Sequence, residues 1–566
     1  MTAGGADSRE LVVGTRGSAL ALAQTRIVCD ALRALHPALA IRVERIATAG
    51  DVKADVPLSE LGRGIFVTEI EAALREGRID AAVHSAKDLP STLATDLTLA
   101  ALLSRADARD VLVSRAGRLR ELPPGARVGT SSPRRACQLR ALRPDLQPLD
   151  VRGNVDTRLR KLANGEYDAL VLAAAGLIRL GRVDEITEWL DLDEMIPSVG
   201  QGALAIETRA NDARAIALLR ALDHADTRCE VLAERAFLAE LGAGCRAAAG
   251  AHAVVTGHRL TITALIGAPD GRHVRTTRDG AASSAQSLGV EVARELLRAG
   301  GAEFLAAADS ALACKRVALT RPAAQSAELV ALLRARGAIP VPCPTIAVQA
   351  IADTTELDSA LRDAAAYAWI AFTSANAVHA VADRLAALGT VLPRTVKLAA
   401  VGGSTARALL GRMRAADFVP SNATADTLAA ELPERGTVLF PRGDLARDGL
   451  TAGLSRRGTP VRDVVVYRTI AGTGAADLAA LVRSGQLDAI VFTSPSSIRF
   501  ARGIVDAMRD ATDAPVVACI GATTARAARD AGLEPDVEPA TQSVGAIVEA
   551  LERRFAVARA QALLPV

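Results

Sequence analysis

Short apolar runs alternate with amphipathic segments along much of the chain. The runs LVVGTR, AAVHSA, ALVLAAAG and VALTRP are each short and apolar, and each is followed by a pattern typical of a helix. This alternation of strand and helix is characteristic of α/β proteins with parallel sheets. Because the chain has 566 residues, we expect several α/β domains rather than one.

One predicted strand, IDAAVH, leads into Lys87 and Asp88, and Pro90 then ends regular structure. The carboxyl ends of parallel strands are where α/β proteins place their chemistry. A buried carboxylate beside a fixed cation stays ionised at neutral pH, because the cation offsets the loss of hydration. Such a carboxylate could stabilise a positive charge on a substrate. A strand-end salt bridge is the alternative interpretation.

A basic cluster follows in residues 129–140 and 151–161. Gly129 to Ser132 lie between a short strand, Ala126–Val128, and an amphipathic helix, where backbone N–H groups favour an anion. Arginines at the start of a helix oppose its dipole, and an anionic ligand would relieve this. Arginine also binds carboxylates bidentately. A solvated basic face is the alternative; a nucleic-acid patch is disfavoured, because the net charge is only +3 and no aromatic residues separate the arginines.

Cys245 differs from the other cysteines because it lies in the glycine-rich segment LGAGCRAAAG. Gly242 and Gly244 let the backbone turn, and Arg246 would favour the thiolate. The remaining cysteines are interpreted as small core residues: Cys29, Cys137, Cys229, Cys314, Cys343 and Cys519. Without paired spacing or a CxxC motif, the cysteines indicate a reducing compartment, and we predict no metal site.

Composition narrows the class of protein further. Aromatic residues make up only 2% of the chain, so the cores must consist of Ala, Leu and Val. The start, MTAGGADSRELVV, lacks the pattern of a signal peptide, and no apolar run reaches the roughly 18 residues that span a bilayer. We therefore expect a cytoplasmic protein without membrane or nucleic-acid partners, and a monomer. Walker A and GxGxxG patterns are absent, so ATP and NAD are not implied.

Residues 316–566 contain two copies of one unit, offset by about 120 residues. VALTRP matches VLFPRG, RARG matches SRRG, WIAFTSANAV matches AIVFTSPSSI, and LAAVGGSTARAL matches VACIGATTARAA. Each unit is expected to form a small doubly wound domain. The loops TSAN, TSPS, GGST and GATT follow apolar strands and precede helices, so they offer N–H groups and hydroxyls to a polyanion. Helix capping alone is the alternative interpretation.

Six segments of the first half occur in the order of one family's motifs. They are GTRGSALALAQT, AVHSAKDLP, GTSSPRRACQLR, VRGNVDTRLRKLANGEYDALVLAAAGLIRLG, SVGQGALAIE and GAGC, between about Leu11 and Leu312. Together they resemble hydroxymethylbilane synthase, also called porphobilinogen deaminase. The resemblance implies that this half condenses four porphobilinogen molecules head to tail into hydroxymethylbilane and releases ammonia.

The resemblance also implies a dipyrromethane cofactor, built from substrate and attached to Cys245 through a thioether. Asp88, beside Lys87, would stabilise the cationic azafulvene formed as ammonia leaves and would handle pyrrole N–H protons. Each pyrrole brings two carboxylates, so the growing chain needs many cations. The residues implied to hold the cofactor and the growing chain are Arg16, Ser18, Lys87, Thr130, Ser131, Arg134, Arg135, Arg152, Gly153, Arg158 and Gln201.

Two positions depart from the family pattern. Glu60 stands where family members often have a lysine, although Arg63 keeps a cation nearby. The run Arg246-Ala247-Ala248-Ala249 lacks the proline that is common after the cofactor cysteine. The first departure affects one expected carboxylate contact, and the second affects only the stiffness of the loop.

The second half resembles uroporphyrinogen-III synthase over its full length. The resemblance implies closure of hydroxymethylbilane to uroporphyrinogen III with inversion of the last ring, without a cofactor and largely through backbone amides. Tyr467, in VVVYRT, matches the tyrosine that the family offers as a candidate acid for loss of the hydroxyl; a strand-end aromatic at a domain hinge is the alternative. Candidate substrate-binding residues are Arg321, Thr373, Ser374, Ser404, Thr405, Arg442, Thr493, Ser494, Thr523 and Thr524. Arg321 and Arg442, matched between the copies, could bind carboxylates or cap strands.

The predicted fold is α/β throughout. The first half is expected to comprise two periplasmic-binding-protein-like α/β domains and a small α+β domain, with the active site in the cleft between the first two. Their predicted ranges are 9–103 with 200–220, 104–199 and 224–312. The second half is expected to comprise two duplicated, doubly wound parallel-sheet domains, with ranges 316–349 with 468–566 and 350–467.

Two other functions stay open from the sequence. Clefts between α/β domains also bind solutes, so the chain could be a two-domain carboxylate-binding module, although a binder needs neither Cys245 nor Asp88. Alternatively, the first half is catalytic and the second is a regulatory or binding half. The Ser/Thr loops of the second half hold no Cys, His or Asp that could act as a nucleophile.

Overall fold

The computed structural model describes residues 10–48, 67–242, 248–433, 436–446 and 448–562. The chain divides into two compact units. The first extends to Cys314 and also includes Leu333–Ile339 and the chain from Phe555; the second comprises Lys315–Leu332 and Pro340–Arg554. Within the described ranges, no helix is both long enough and apolar enough to cross a membrane.

The strands of the first unit form three sheets. In chain order they are β1 (Leu11–Arg16), β2 (Ile41–Ile46), β3 (Ala81–Ser85), β4 (Leu97–Leu102), β5 (Asp110–Ser114), β6 (Arg127–Gly129), β7 (Gln147–Leu149), β8 (Ala169–Ala173), β9 (Glu188–Trp189), β10 (Leu204–Arg209), β11 (Ala248–Thr256), β12 (Arg259–Gly267) and β13 (His273–Ala281).

The first two sheets share one pattern. Their strand orders are β2-β1-β3-β10-β4 and β7-β6-β8-β5-β9. In each, three parallel strands are followed by a strand that runs antiparallel to both of its neighbours, β10 in one and β5 in the other. Since β10 returns to the first sheet after the second is complete, the chain passes between them twice, at 103–109 and 190–203. The third sheet, β11-β12-β13, is an antiparallel meander.

Helices separate most of these strands. They are α1 (Ala19–Leu35), α2 (Thr68–Arg75), α3 (Pro133–Leu142), α4 (Val155–Ala163), α5 (Ala174–Arg179), α6 (Ala213–Leu219), α7 (Ala225–Glu240), α8 (Ala285–Leu296) and α9 (Ala302–Asp309). Helix α1 begins where the Ser18 hydroxyl accepts the Ala21 N–H, and it buries Val28 and Leu32 against the first sheet. Strand β3 is buried on both faces, as expected for a strand inside a covered sheet.

The second unit contains two further sheets. Its strands are β14 (Arg316–Leu319), β15 (Ile339–Pro342), β16 (Ile346–Ala350), β17 (Trp369–Phe372), β18 (Lys397–Ala400), β19 (Val438–Gly443), β20 (Val461–Ala471), β21 (Ala489–Phe492) and β22 (Val516–Cys519). The strand orders are β15-β14-β21-β22 and β16-β20-β19-β17-β18. The registered pairs are parallel except that between β16 and β20.

The helices of this half follow the strand ends. They are α10 (Ala327–Ala335), α11 (Thr355–Arg362), α12 (Ala375–Ala387), α13 (Gly403–Arg412), α14 (Ala425–Glu431), α15 (Gly449–Arg456), α16 (Ala475–Arg483), α17 (Pro495–Arg499), α18 (Ile504–Asp510), α19 (Ala522–Asp530) and α20 (Val544–Ala562). With both halves rich in helices and in parallel or mixed sheets, the predicted α/β class is confirmed.

The expectation that each sequence repeat forms one domain is wrong, whereas the predicted ranges 316–349 with 468–566 and 350–467 already assign parts of both repeats to each domain. Strands β14 and β15 come from the first repeat but share a sheet with β21 and β22 from the second. The other sheet joins β17 and β18 of the first repeat to β19 and β20 of the second. Each repeat is therefore divided between the two sheets. In both sheets, strands of the first repeat are hydrogen-bonded to strands of the second.

Most of the cysteines predicted to lie in cores are buried there. Burial raises the pKa of the Cys137 and Cys519 thiols to about 12 and that of Cys343 to about 11, as expected for apolar surroundings. Cys229 is half-buried, whereas Cys314 is exposed, so the core interpretation of Cys314 is wrong. Its backbone φ of 64° places it in a turn after α9 rather than in an element that packs.

Candidate active sites

Lys87 and Asp88 lie in a single turn that follows β3. Residues Ala86–Asp88 form this 3₁₀ turn, and the Ala86 N–H donates to the Ala203 carbonyl at 3.0 Å. Gly200, with φ of 70°, packs so closely that a Cβ there would lie 3.0 Å from the Ala86 carbonyl carbon. The turn is therefore fixed against the segment that precedes β10. Asp88 itself is exposed and is not the buried carboxylate that the sequence suggested.

Lys87 lies in a strongly cationic part of the first unit. Although the residue is exposed at the surface, crowding by the surrounding protein lowers its pKa to about 8. The nearby Arg135 and Arg134 lower it further, while Asp88 and Asp110 oppose them. An anion bound beside Lys87 would favour its protonated form, so the residue suits the binding of a carboxylate.

Arg134 and Arg135, at the start of α3, converge on Asp110 of β5. Asp110 is fully buried and accepts hydrogen bonds from Arg134 at 2.8 Å and from Arg135 at 2.7 Å. Gln201 adds a third donor, at 2.8 Å. Although burial opposes ionisation, the two guanidinium groups hold the pKa of the Asp110 carboxyl far below its usual range. From the sequence, we expected a ligand anion to neutralise the arginines at the start of α3. The Asp110 carboxylate supplies part of that negative charge from within the protein.

Asp110 is absent from the residues predicted from sequence. A charged residue opening the apolar strand DVLVS was the available signal, because a buried carboxylate needs a partner. The direct binding of ligand carboxylates by Arg134 and Arg135 stays a prediction. Their remaining hydrogen bonds include those to the Ile196 and Val171 carbonyls, at 2.5 and 3.0 Å.

Arg152 and Arg158 border the same cationic region. The pKa of Arg158 is lowered to about 10, first by burial and then by the charge of Arg135. Its Nε donates to the Gly153 carbonyl at 2.8 Å, and Gly153 has φ of 103°, a conformation that other residues rarely adopt. Arg152 pairs with the exposed Asp150 at 3.2 Å. These contacts orient both guanidinium groups. Since Arg158 donates to a carbonyl group rather than to a carboxylate, the cluster keeps a net positive charge.

The remaining predicted cofactor contacts differ in their surroundings. Ser131 joins two loops, since its Oγ donates to the Val151 carbonyl at 2.7 Å and accepts the Val151 N–H at 3.1 Å. Thr130 is buried, Ser18 caps α1, and Arg16 is half-buried at the end of β1. Their contacts with a cofactor stay predictions. Cys245, Glu60 and Arg63 lie outside the described residues.

Arg179, at the end of α5, is a further half-buried arginine that the predicted set does not include. Burial lowers its pKa to about 10, and its Nη2 donates to the Gly202 carbonyl at 2.6 Å. Gly202 directly follows Gln201, so this guanidinium lies beside the segment that supports the Lys87 turn. The sequence GLIRLG did not mark Arg179 as a functional residue. Arginine is common near a helix C-terminus, because its charge interacts favourably with the helix dipole.

The Ser/Thr loops of the second half behave alike in both copies. Ser374 and Ser494 cap α12 and α17 through hydrogen bonds of 3.2 and 3.3 Å. Thr405 and Thr524 are buried, whereas the residues before them, Ser404 and Thr523, are exposed. Capping and packing therefore account for several of these residues. Ser404 and Thr523 keep the accessible hydroxyls.

Thr373 and Thr493 occupy equivalent positions at the ends of β17 and β21. Thr373 is half-buried. Thr493 is 7% exposed, and its hydroxyl makes no hydrogen bond within the described part of the chain. Their contact with a substrate stays a prediction.

Tyr467 is the most distinctive of the predicted residues in the second half. Its hydroxyl lies 3.1 Å from Ser374 Oγ, at the carboxyl end of β17. Its ring lies against Gly443, where a Cβ would come within 2.6 Å of the ring carbon Cζ. The tyrosine is thus oriented by a hydroxyl on one side and by a glycine on the other.

The two arginines that match between the copies differ in their partners. Arg442 forms ion pairs with Asp448 at 2.9 Å and with Asp463 at 3.6 Å. Arg321 is half-buried and forms no ion pair with another described residue, and partial burial lowers its pKa. A partly buried cation without a nearby carboxylate is suited to an anionic ligand. Across the described ranges, no cluster of His, Cys, Asp or Glu could hold a metal ion.

Comparison with known proteins identifies the first half. Residues 11–217 match the family model described as "Porphobilinogen deaminase, dipyromethane cofactor binding domain", and residues 228–298 match "Porphobilinogen deaminase, C-terminal domain". The porphobilinogen deaminase of Roseiflexus castenholzii is 58% identical over 298 residues, which cover 52% of this chain and 98% of that protein. The chain belongs to the porphobilinogen deaminase family. The enzyme of Thermus thermophilus is 50% identical over 301 residues, covering 53% of this chain and 99% of the relative.

The second half matches a different family model. Residues 327–549 match "Uroporphyrinogen-III synthase HemD". Among solved structures, the Thermus thermophilus uroporphyrinogen III synthase (a mutant) is 22% identical, covers 43% of this chain and all of that one, and has a TM-score of 0.35. The Helicobacter pylori enzyme is 18% identical, covers 43% and 99%, and has a TM-score of 0.29. The resemblances stated from the motifs are confirmed: the chain is a bifunctional enzyme of tetrapyrrole biosynthesis, with a dipyrromethane cofactor domain in its deaminase half.

Proposed function

We propose that the first half condenses four porphobilinogen molecules head to tail into hydroxymethylbilane and releases ammonia. The second half then closes this product with inversion of ring D to uroporphyrinogen III. The observation that carries the first assignment is the Lys87–Asp88 turn, placed among buried arginines. A carboxylate at this point can stabilise a cation, while the surrounding positive charge attracts carboxylate arms.

The cationic residues divide into a binding group and a supporting group. Lys87 and Arg158 have lowered pKa values because they are crowded by protein and by other cations, so a bound carboxylate would relieve their repulsion. Arg134 and Arg135 are anchored by Asp110, which holds their guanidinium groups in a fixed orientation. This arrangement suits a substrate in which every pyrrole carries two carboxylates.

Asp88 is assigned to the reacting centre. A positive charge develops on the pyrrole ring from which ammonia leaves, and the exposed carboxylate can lie against that ring once substrate displaces water. The same oxygen atoms can accept a pyrrole N–H. Lys87, its neighbour in the turn, would hold a substrate carboxylate and keep the ring in register.

The dipyrromethane cofactor fits the same region. Its acidic arms match the buried cations, and Cys245 lies in the segment between α7 and β11 in sequence. When bound through Cys245, the cofactor supplies the pyrrole end to which the first substrate is joined. Arg152, Arg158, Lys87 and Ser131 are proposed to hold it, together with the other predicted cofactor-binding residues.

We also propose three domains in the first half and two in the second. The strand orders of the first two sheets support two periplasmic-binding-protein-like domains with ranges 9–103 with 200–220 and 104–199, and the meander supports a small α+β domain at 224–312. In the second half, the two sheets support doubly wound domains close to the predicted ranges 316–349 with 468–566 and 350–467, although β16 and β20 extend across the two boundaries. We also propose a monomer that works in the cytoplasm.

Tyr467→Phe is expected to slow ring closure about ten- to a hundredfold, because the hydroxyl beside Ser374 would no longer donate a proton to the departing hydroxyl group. The measurement is the ratio of uroporphyrin III to uroporphyrin I after hydroxymethylbilane is supplied to the full chain. Tyr367→Phe is the matched control, since its hydroxyl accepts from Arg462 at 2.9 Å instead. An unchanged isomer ratio in the Tyr467 variant would favour the hinge interpretation of this residue.

A single product assay tests both activities. Porphobilinogen is supplied to the purified full chain, and the product is oxidised and chromatographed. Uroporphyrin III is the expected product. Uroporphyrin I alone would mean that the second half is regulatory or inactive. Intact porphobilinogen would contradict the catalytic assignment of the first half and favour the carboxylate-binding module.

A further inference from the structure

The turn that carries Lys87 and Asp88 is held on its far side by one buried arginine. Arg235 lies on α7, and its Nη2 donates to the Pro90 carbonyl at 2.7 Å and to the Ser91 carbonyl at 3.1 Å. The residue is 7% exposed, so these hydrogen bonds are shielded from competing water. Pro90 follows Asp88 with only Leu89 between them.

The turn provides little support of its own at this point. The Leu89 N–H reaches the Ala86 carbonyl at 3.4 Å, which is long for a backbone hydrogen bond. Gly200 contacts the beginning of the turn at Ala86 and Lys87, and Arg235 binds the chain after it. The backbone on either side of Asp88 is thus fixed from outside the turn, by two different parts of the first unit.

The charge of Arg235 is balanced inside the protein. Burial lowers its pKa, and Glu207 of β10 opposes this effect. Glu207 is itself buried, and its Oε2 lies 3.1 Å from His84 Nε2, on the strand that leads to the turn. Because arginine stays protonated in proteins, it can serve as a constant donor to both carbonyls.

The same helix also leads to the cofactor cysteine. Helix α7 ends at Glu240, and Cys245 follows five residues later in the sequence. We propose that Arg235 is a positioning residue for the deaminase reaction: it fixes the backbone after Asp88 to the helix that leads to the cofactor segment. The inference rests on the proposed role of Asp88. It predicts that the cost of losing Arg235 falls on the chemical step rather than on substrate binding.

The helix offers a matched control. Arg228, also on α7, donates through its Nη2 to two carbonyls, those of Leu99 and Ala100, each at 3.2 Å. It also pairs with Asp223 at 2.6 Å. Arg228 therefore anchors α7 to β4 in the way that Arg235 anchors it to the turn, but away from Asp88. Loss of either arginine weakens the attachment of the helix, and only loss of Arg235 frees the turn.

The experiment compares Arg235→Met and Arg228→Met in the full chain, with porphobilinogen consumption as the readout. For Arg235→Met we expect kcat to fall about ten- to a hundredfold with KM changed less than about threefold, since small misplacement of a reacting group is costly. Arg228→Met should keep kcat within about threefold. Arg235→Lys, which keeps one charged donor, should recover part of the lost kcat.

Other outcomes would overturn the proposal. Equal losses in the two methionine variants would indicate general support of the helix, and a raised KM with unchanged kcat would indicate a binding role. In an Asp88→Asn background, Arg235→Met should lower kcat no further; a full additional loss would show that the two residues act independently. If Asp88→Asn is itself active, the proposed role of Asp88 fails. If Asp88→Asn is inactive but Arg235→Met keeps its kcat, the positioning role of Arg235 fails while the proposed role of Asp88 stands.

Discussion

Replacement of Asp88 with asparagine should lower porphobilinogen turnover by at least about a hundredfold. Asparagine keeps the shape of the side chain and removes its charge, so the variant tests stabilisation of a positive charge rather than packing. Loss of one group that stabilises charge in a transition state commonly costs a factor of about 10² to 10³. The measurement is the initial rate of porphobilinogen consumption by the full chain.

The surrounding cations should still bind substrate in this variant. Porphobilinogen should raise the Tm of Asp88→Asn and that of the unaltered chain by similar amounts, because Lys87 and the arginines remain in place. Asp96→Asn provides a control in the same sheet region: Asp96 is an exposed carboxylate that pairs with Arg75 at 2.7 Å. A turnover above about a tenth of the unaltered rate in Asp88→Asn would contradict the role assigned to this carboxylate.

Replacement of Asp110 with asparagine is expected to have the largest effect on stability. Two buried guanidinium groups would lose the carboxylate that they share, and removal of one partner from a buried ion pair costs about 3–5 kcal/mol. We expect the first thermal transition to fall by about 5–8 °C for a unit of this size. Deaminase turnover should fall with it, because Arg134 and Arg135 would no longer be held at the start of α3.

Asp150→Asn is the matched control for this prediction. Its partner, Arg152, belongs to the same cluster, but the Asp150 side chain is 57% exposed, and such pairs contribute at most about 1 kcal/mol. Equal shifts in the two variants would contradict the importance of burial. Since the folded pKa of Asp110 is lowered, its contribution is complete above the ordinary aspartate pKa of about 4 and is lost as the pH falls toward the folded value.

The chemistry of the deaminase half could be recognised because its motifs are local. AVHSAKDLP places a lysine and an aspartate directly after a strand, and GTSSPRRACQLR places arginines at the start of a helix, where the structure has them. Periodicity within about ten residues determines such elements, since a strand or a helix start depends mainly on near neighbours. The repeat in the second half was equally visible, as four matched segments at a nearly constant offset of about 120 residues.

The pairing of distant elements depended on tertiary structure. Sequence spacing does not show that Asp110 lies between Arg134 and Arg135 or that Arg235 reaches Pro90. These contacts join residues that are far apart in the sequence, because burying apolar strand faces and satisfying edge hydrogen bonds involve the whole fold. The sequence by itself determined the elements and the types of charged group. The tertiary structure decided which charges neutralise one another and which stay available to a ligand.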